Sequence, residues 1–114
     1  MQTAHNTSNG GIVYLYFSVP SGTSSITMKL EMSGDFGSSN EYVHVYANGS
    51  SLGFNVRNGY NSSTLRIPSG WTNKTIASSL WSAGSLLTIR LNISSYVSGT
   101  QHGGQNYLVT LTYN

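Results

Sequence analysis

The sequence predicts an all-β domain, an antiparallel two-sheet β-sandwich of jelly-roll or immunoglobulin-like type, with seven or eight strands. It leaves room for at most one short helix, near residues 74–81. Three observations predict this. Apolar residues recur at every second position in runs of strand length, as on a half-buried sheet. Clusters of Gly, Pro, Asn and Ser interrupt these runs at the spacing usual for sandwiches. At 114 residues the chain makes one domain, large enough to bury a core without the disulfides that cysteine would supply.

Residues 1–10 read as a polar N-terminal arm and 11–114 as the sandwich. Ile12 to Val19 is the first strand, with Val13, Leu15, Phe17 and Val19 inward and Tyr14 and Tyr16 outward. Pro20-Ser21-Gly22 ends it, because proline cannot donate to a ladder and glycine accepts turn angles. Ser25 to Ser33 alternates most clearly, with Ile26, Met28, Leu30 and Met32 inward. After a loop over 34–40, Glu41 to Ala47 is a strand with Val43 and Val45 set between Tyr42, His44 and Tyr46.

Asn48-Gly49 is a hairpin signal, since a type I′ turn needs positive φ at both central residues. The returning strand, about Ser51 to Arg57, places Leu52, Phe54 and Val56 on one face. Asn58-Gly59 marks another turn, and Thr64 to Pro68 is a short strand with Leu65 and Ile67 inward. Over 74–81, Ile76 and Leu80 fall at helical spacing behind a Thr72 or Asn73 cap. Leu86 to Ile93 and Asn106 to Tyr113 are the last strands, with Gly99 to Gly104 a loop between them.

Composition narrows the function classes. Ser, Gly, Thr and Asn make up 55 of the 114 residues and charged residues only 7%, against roughly 25% in an ordinary soluble domain. Hydroxyls and amides therefore carry solubility, as on lectins, adhesins and virion proteins. The net charge of +2 comes from five dispersed basic residues, not from the dense stripe that nucleic acid requires. No apolar stretch is long enough to span a bilayer, and no basic or apolar leader precedes Gly10. An outside-type surface without a leader has three explanations: an excised domain, a mature form given a new Met, or a virion protein released by lysis. The expected location is a virion surface or, failing that, the extracellular space.

Patterns for catalysis are weak. Gly49-Ser50-Ser51-Leu52-Gly53 fits G-x-S-x-G, and His102-Gly103-Gly104 resembles an oxyanion-hole loop. A nucleophile elbow, however, needs a strand-to-helix turn on a parallel sheet, and Ser51 sits in a hairpin. Glu31, Asp35 and Glu41 are scattered and read as solvated charges rather than an acid–base pair. No cofactor is expected: Asp35 and Glu41 bracket a loop whose carbonyls could complete an oxygen site for calcium, but two carboxylates without D-x-D spacing make a weak site. His5, His44 and His102 lack ligand spacing. The five N-x-S/T sequons follow from an Asn-, Ser- and Thr-rich composition and decide nothing.

The candidate binding or interface residues are Tyr14, Tyr16, Tyr42, His44 and Tyr46, an outward row suited to stacking a sugar ring or packing a subunit. His5 and Asn6 join them because a polar arm stays frayed unless something, such as a partner subunit, holds it.

Ser33-Gly34-Asp35-Phe36, with Glu41 to Tyr46 and Gly49 to Gly53, resembles a pattern in β-sandwich modules of bacterial surface proteins, over about a fifth of the chain. In character the whole chain is similar to small jelly-roll phage virion proteins of the capsid decoration (cement) or fibre type: short, cysteine-free, rich in Ser, Thr and Gly, and beginning at its own Met. That resemblance implies a non-catalytic role, capsid subunits and copies of itself as partners, and trimeric or other symmetric assembly. The expected function is accordingly capsid decoration, with the arm docked on a neighbour. The alternative is a carbohydrate-binding or lectin-like module that contacts glycan through its outward tyrosines.

Overall fold

A computed structural model describes all residues, 1–114. Nine strands follow one another: β1 (Gln2–Asn6), β2 (Gly11–Ser18), β3 (Ile26–Asp35), β4 (Val43–Ala47), β5 (Ser50–Val56), β6 (Asn61–Arg66), β7 (Lys74–Ile76), β8 (Leu86–Ile93) and β9 (Gln105–Tyr113). They form two antiparallel sheets, one ordered β1-β9-β3-β6 with β7 also on β3, the other β2-β8-β4-β5. The sequence expectation of a sandwich holds.

With the three-residue β7 set aside, eight strands pair from the outside of the chain inwards: β1 with β9, β2 with β8, β3 with β6 and β4 with β5. A ribbon of nested antiparallel pairs folded over itself is the jelly-roll arrangement. The topology that the alternation pattern left open is thereby settled as a jelly roll.

Alternation explains which faces meet. Ile26, Met28, Leu30 and Met32 of β3 are fully buried, and Leu87, Ile89 and Leu91 of β8 face them from the second sheet. Phe36, Val43, Val45 and Tyr107 complete the centre of a 22-residue apolar core. The Asn48-Gly49 turn has positive φ at both residues, 46° and 85°, as the hairpin requires.

Four segments depart from the sequence expectation. Residues 2–6 are not a loose arm but a strand in register with β9, from Gln2 opposite Val109 to Asn6 opposite Gln105. Residues 74–81 are not an α-helix. Lys74–Ile76 pairs with β3, which buries Ile76, and only a single 3-10 turn follows at Ser78–Leu80. Leu65 and Ile67, expected inward, are each 39% exposed, because Arg66 between them pairs with the inward Met32 and so turns both neighbours to the outer face. The next loop instead sends the buried Trp71 into the core. Trp71 reaches it past Gly53, where a Cβ would lie 2.9 Å from the indole. Phe54, also expected inward, is 62% exposed, because β5 shifts register against β4 at this point.

The end of the sandwich where the chain crosses from β1 to β2 is closed by a buried amide. Gln105 is fully buried and its Oε1 accepts from Asn6 Nδ2 (2.7 Å) and the Tyr107 hydroxyl (3.3 Å). Its Nε2 donates to the carbonyls of Ser8 (2.9 Å) and Ser98 (3.0 Å). Gly99 packs directly on the Thr7 carbonyl, leaving no room for a side chain. A buried amide is tolerable only when its hydrogen bonds are made, and these are. Gln105→Leu keeps the volume and removes all four, so it should cost about 3 kcal/mol in urea unfolding; a loss below about 0.5 kcal/mol would show that the network is dispensable.

Candidate functional site

The outer face of the β2-β8-β4-β5 sheet gathers the aromatic residues that the inner face has no room for. Pairing across β8 fixes the rows. Tyr14 lies beside Arg90, which lies beside Tyr46; Ile12 lies beside Asn92, which lies beside His44; Tyr16 lies beside Thr88. Because neighbouring strands are about 4.8 Å apart, the two aromatic banks stand about 10 Å from each other. Between them runs the polar edge of β8: Thr88, Arg90 and Asn92.

On one bank the Tyr14 and Tyr16 rings are nearly parallel, 8° apart with centroids at 6.4 Å, and both are half-exposed. The other bank is built around His44. Tyr42 stacks on it at 4.9 Å and Phe54 meets it edge-on at 4.9 Å. Phe54 also approaches Tyr46 edge-on at 6.4 Å. The Arg90 guanidinium lies 4.2 Å above the Tyr46 ring, a cation–π contact that holds both side chains flat against the sheet.

Phe54 reaches this face through a bulge. Val45 pairs with Gly53 and Val43 with Val56, so two residues, Phe54 and Asn55, stand opposite His44 alone. Asn55 takes a φ of 53°, and its backbone N–H donates to His44 Nδ1 at 3.0 Å. The inserted residue turns Phe54 outward and fixes the imidazole ring between two aromatic neighbours. Period-two reading of the strand cannot show this, because the bulge breaks the period.

Two polar atoms on the floor have no hydrogen-bond partner within the chain although both are buried: Arg90 Nε and Asn92 Oδ1. Native interiors leave few such atoms, and each calls for an explanation. Here they lie under the two aromatic banks, facing the same side as the rings.

The structure thus unites Tyr14, Tyr16, Tyr42, His44 and Tyr46 on one face and adds Phe54, Arg90 and Asn92, which the sequence analysis did not single out. The outward positions in the Leu86 to Ile93 alternation were the available signal for the last two. His5 and Asn6 belong to the other sheet. His5 Nδ1 bonds to Asn106 Oδ1 at 2.8 Å, and Asn6 is spent on Gln105 and on the Ser8 and Gly10 carbonyls. That sheet's outer face holds a shallow cavity of about 260 Å³ lined by Thr3, Ser33, Leu65 and Leu108 among others. No charged side chain lines it, and it falls short of the roughly 300–1,000 Å³ of ligand pockets.

Asp35 and Glu41 do converge, and both are buried. Asp35 Oδ2 accepts from the Ser98 N–H (3.1 Å) and Glu41 Oε1 from the Ser38 N–H (2.7 Å). No cluster of three or more His, Asp or Glu side chains surrounds them. Loss of hydration, and then the hydrogen bond to Asp35, raise the Glu41 carboxyl above its ordinary value. Glu31 is paired with Lys29 at 3.7 Å on the surface. Ser51 sits on β5 directly after the β4–β5 turn, with no helix following, and His102 lies in a separate loop with φ 56°. The five basic residues are engaged singly, Arg66 over Tyr60, Lys74 over Trp71 and Arg57 on the Phe36 carbonyl among them. No helix is long and apolar enough to cross a membrane.

Comparison with protein-family models, curated proteins and solved structures finds no match for the chain.

A group whose folded pKa is raised stabilises the fold fully below its unfolded pKa, and that contribution is lost as pH rises through the folded value. Glu41 is such a group. Its contribution should be complete below about pH 4 and be lost as pH rises from there through the raised folded value. Relative to Glu41→Gln, which retains an acceptor for Ser38, the wild-type Tm should fall over that interval. Parallel Tm–pH curves for the two proteins would refute the assignment.

Proposed function

We propose that this chain is a non-catalytic recognition module whose aromatic sheet face binds carbohydrate. One observation carries the reading: two banks of aromatic rings flank a strand whose outward side chains, Thr88, Arg90 and Asn92, are polar. Sugars present apolar C–H faces and a rim of hydroxyls. Aromatic rings receive the first, and polar side chains between the rings receive the second. Tyr14, Tyr16, Tyr42, Tyr46 and Phe54 are the stacking residues, His44 holds the second bank together, and Arg90, Asn92 and Thr88 supply hydrogen bonds.

The rest of the surface agrees with a neutral ligand. Charge is sparse, and no basic stripe suits nucleic acid. The carboxylates stand away from the aromatic face, either paired to a lysine or tied to backbone amides, which leaves the face without a carboxylate acid–base pair. Nothing in the reading requires a cofactor.

A second reading is favoured by the 7% charged content together with the exposed Ile12, Tyr14, Tyr16 and Leu86 on this face. In it the chain is a virion structural protein that decorates a capsid, and the aromatic face packs on a capsid subunit. Jelly rolls occur both as capsid and as lectin domains, so the fold favours neither. The docking element of that reading is the sheet face, since residues 2–6 are engaged in β1.

A glycan array followed by calorimetry separates the two. Carbohydrate recognition predicts selective binding that Tyr46→Ala weakens about tenfold, about 1.4 kcal/mol. Leu65→Ala, on the opposite sheet, should leave the affinity within about twofold of wild type. A flat array overturns the carbohydrate reading and leaves the decoration reading standing.

A further inference from the structure

A sandwich has four edge strands, and natural proteins blunt such edges with charge, proline, bulges or short length. Here the two flanks differ. On the β5/β6 flank, β5 shifts register twice against β4, contains Asn55 at positive φ and is followed by Arg57. Its companion β7 is only three residues long, β6 is shifted against β3, and the segment carries Arg66, Pro68 and Lys74. Every usual device is present.

The β1/β2 flank has almost none of them. β2 is eight residues long and pairs with β8 without a break from Gly11 to Ser18. It contains no proline and no charged residue. Its other side has no strand partner. No loop or turn backbone hydrogen bond falls on Gly11 to Ser18 either. Half of its backbone N–H and C=O groups therefore point outward along an uninterrupted line. Beside that line Ile12, Tyr14, Tyr16 and Leu86 are each half-exposed or more.

We infer that β2 is a pairing edge and that its partner is β2 of a second copy of this chain, antiparallel about a two-fold axis. An antiparallel edge is complementary to itself under such an axis, because each donor that one copy offers meets an acceptor of the other. The two edges match in length. A strand without charge also brings no like charges together at the seam. Leu15 and Phe17 must stay in the core, so only registers that pair residues on the same face are allowed. Ile12, Tyr14 and Tyr16 of one copy then face the same three residues of the other. The two four-stranded sheets become one sheet of eight, and the Tyr14–Tyr16 banks merge at its centre. This holds whether the aromatic face receives a sugar or a capsid subunit.

Sedimentation of the full chain from micromolar to millimolar concentration tests it. The mass should climb from the 12.3 kDa monomer to twice that value. Tyr14→Lys and Tyr14→Glu, at a half-exposed position, should each weaken self-association at least about tenfold, and an equimolar mixture of the two should recover it. Ser51→Lys on the opposite flank should change nothing. Amide exchange in β2, and not in β5, should slow as the dimer forms. The proposal is overturned by a wild-type protein that remains monomeric, by a mass three times the monomer, by association that Tyr14→Lys leaves intact, or by mixed variants that stay apart. Glycan binding by a monomeric protein would remove this inference and leave the carbohydrate reading intact.

Discussion

The outer surface of this domain is dictated by the sealing of its two inner faces. Ile26, Met28, Leu30 and Met32 on one sheet and Leu87, Ile89 and Leu91 on the other leave no solvent between them. No disulfide assists them, and a single surface ion pair contributes little. Because side chains alternate strictly along a strand, holding Leu15 and Phe17 inside also holds Tyr14 and Tyr16 outside. A one-residue slip would exchange the two sets, burying hydroxyls and exposing the core. The aromatic face is thus the obligatory reverse of the core, and its rigidity is borrowed from it.

What the sequence makes legible follows from that coupling. The strands β2, β3, β4, β8 and β9 announce themselves through alternation, and with them the outward positions of five of the seven candidate residues. β1 does not, because Gln2 to Asn6 carries no apolar rhythm and is held by the register of β9 and by Gln105. β7 mimics a helix: Ile76 and Leu80 are four apart, but Ile76 is buried through pairing with β3. Phe54 and Leu65 fail for different reasons, one through an inserted residue and the other because the pairing of Arg66 with Met32 sets a register that turns it outward. Nested pairing of distant strands, which separates a jelly roll from other sandwiches, leaves no local trace at all.

The chemistry of the surface is consistent in one respect. Where most domains surround themselves with ions, this one lays its few cations over aromatic rings, as Arg90 over Tyr46 and Arg66 over Tyr60. Such pairs keep a flat, weakly charged surface soluble while leaving ring faces available. A neutral, hydroxyl-rich ligand suits that environment better than a charged one, since it demands no counter-charge and loses less hydration on binding.

The nested order of pairing also governs how the chain must be made. β4 and β5 are joined by a tight turn and can meet as soon as both exist, whereas Gln2 waits for Val109, near the far end of the chain. Contacts of such sequence separation are entropically costly to close and form slowly. A polypeptide emerging from the ribosome would hold its inner hairpin early and its outermost pair only once β9 has emerged. Until then β9 is without its neighbour and Gln105 without Asn6. The pair of greatest sequence separation, β1 with β9, is therefore the one that closes the domain, and the sandwich stays open along that seam until β9 is in place.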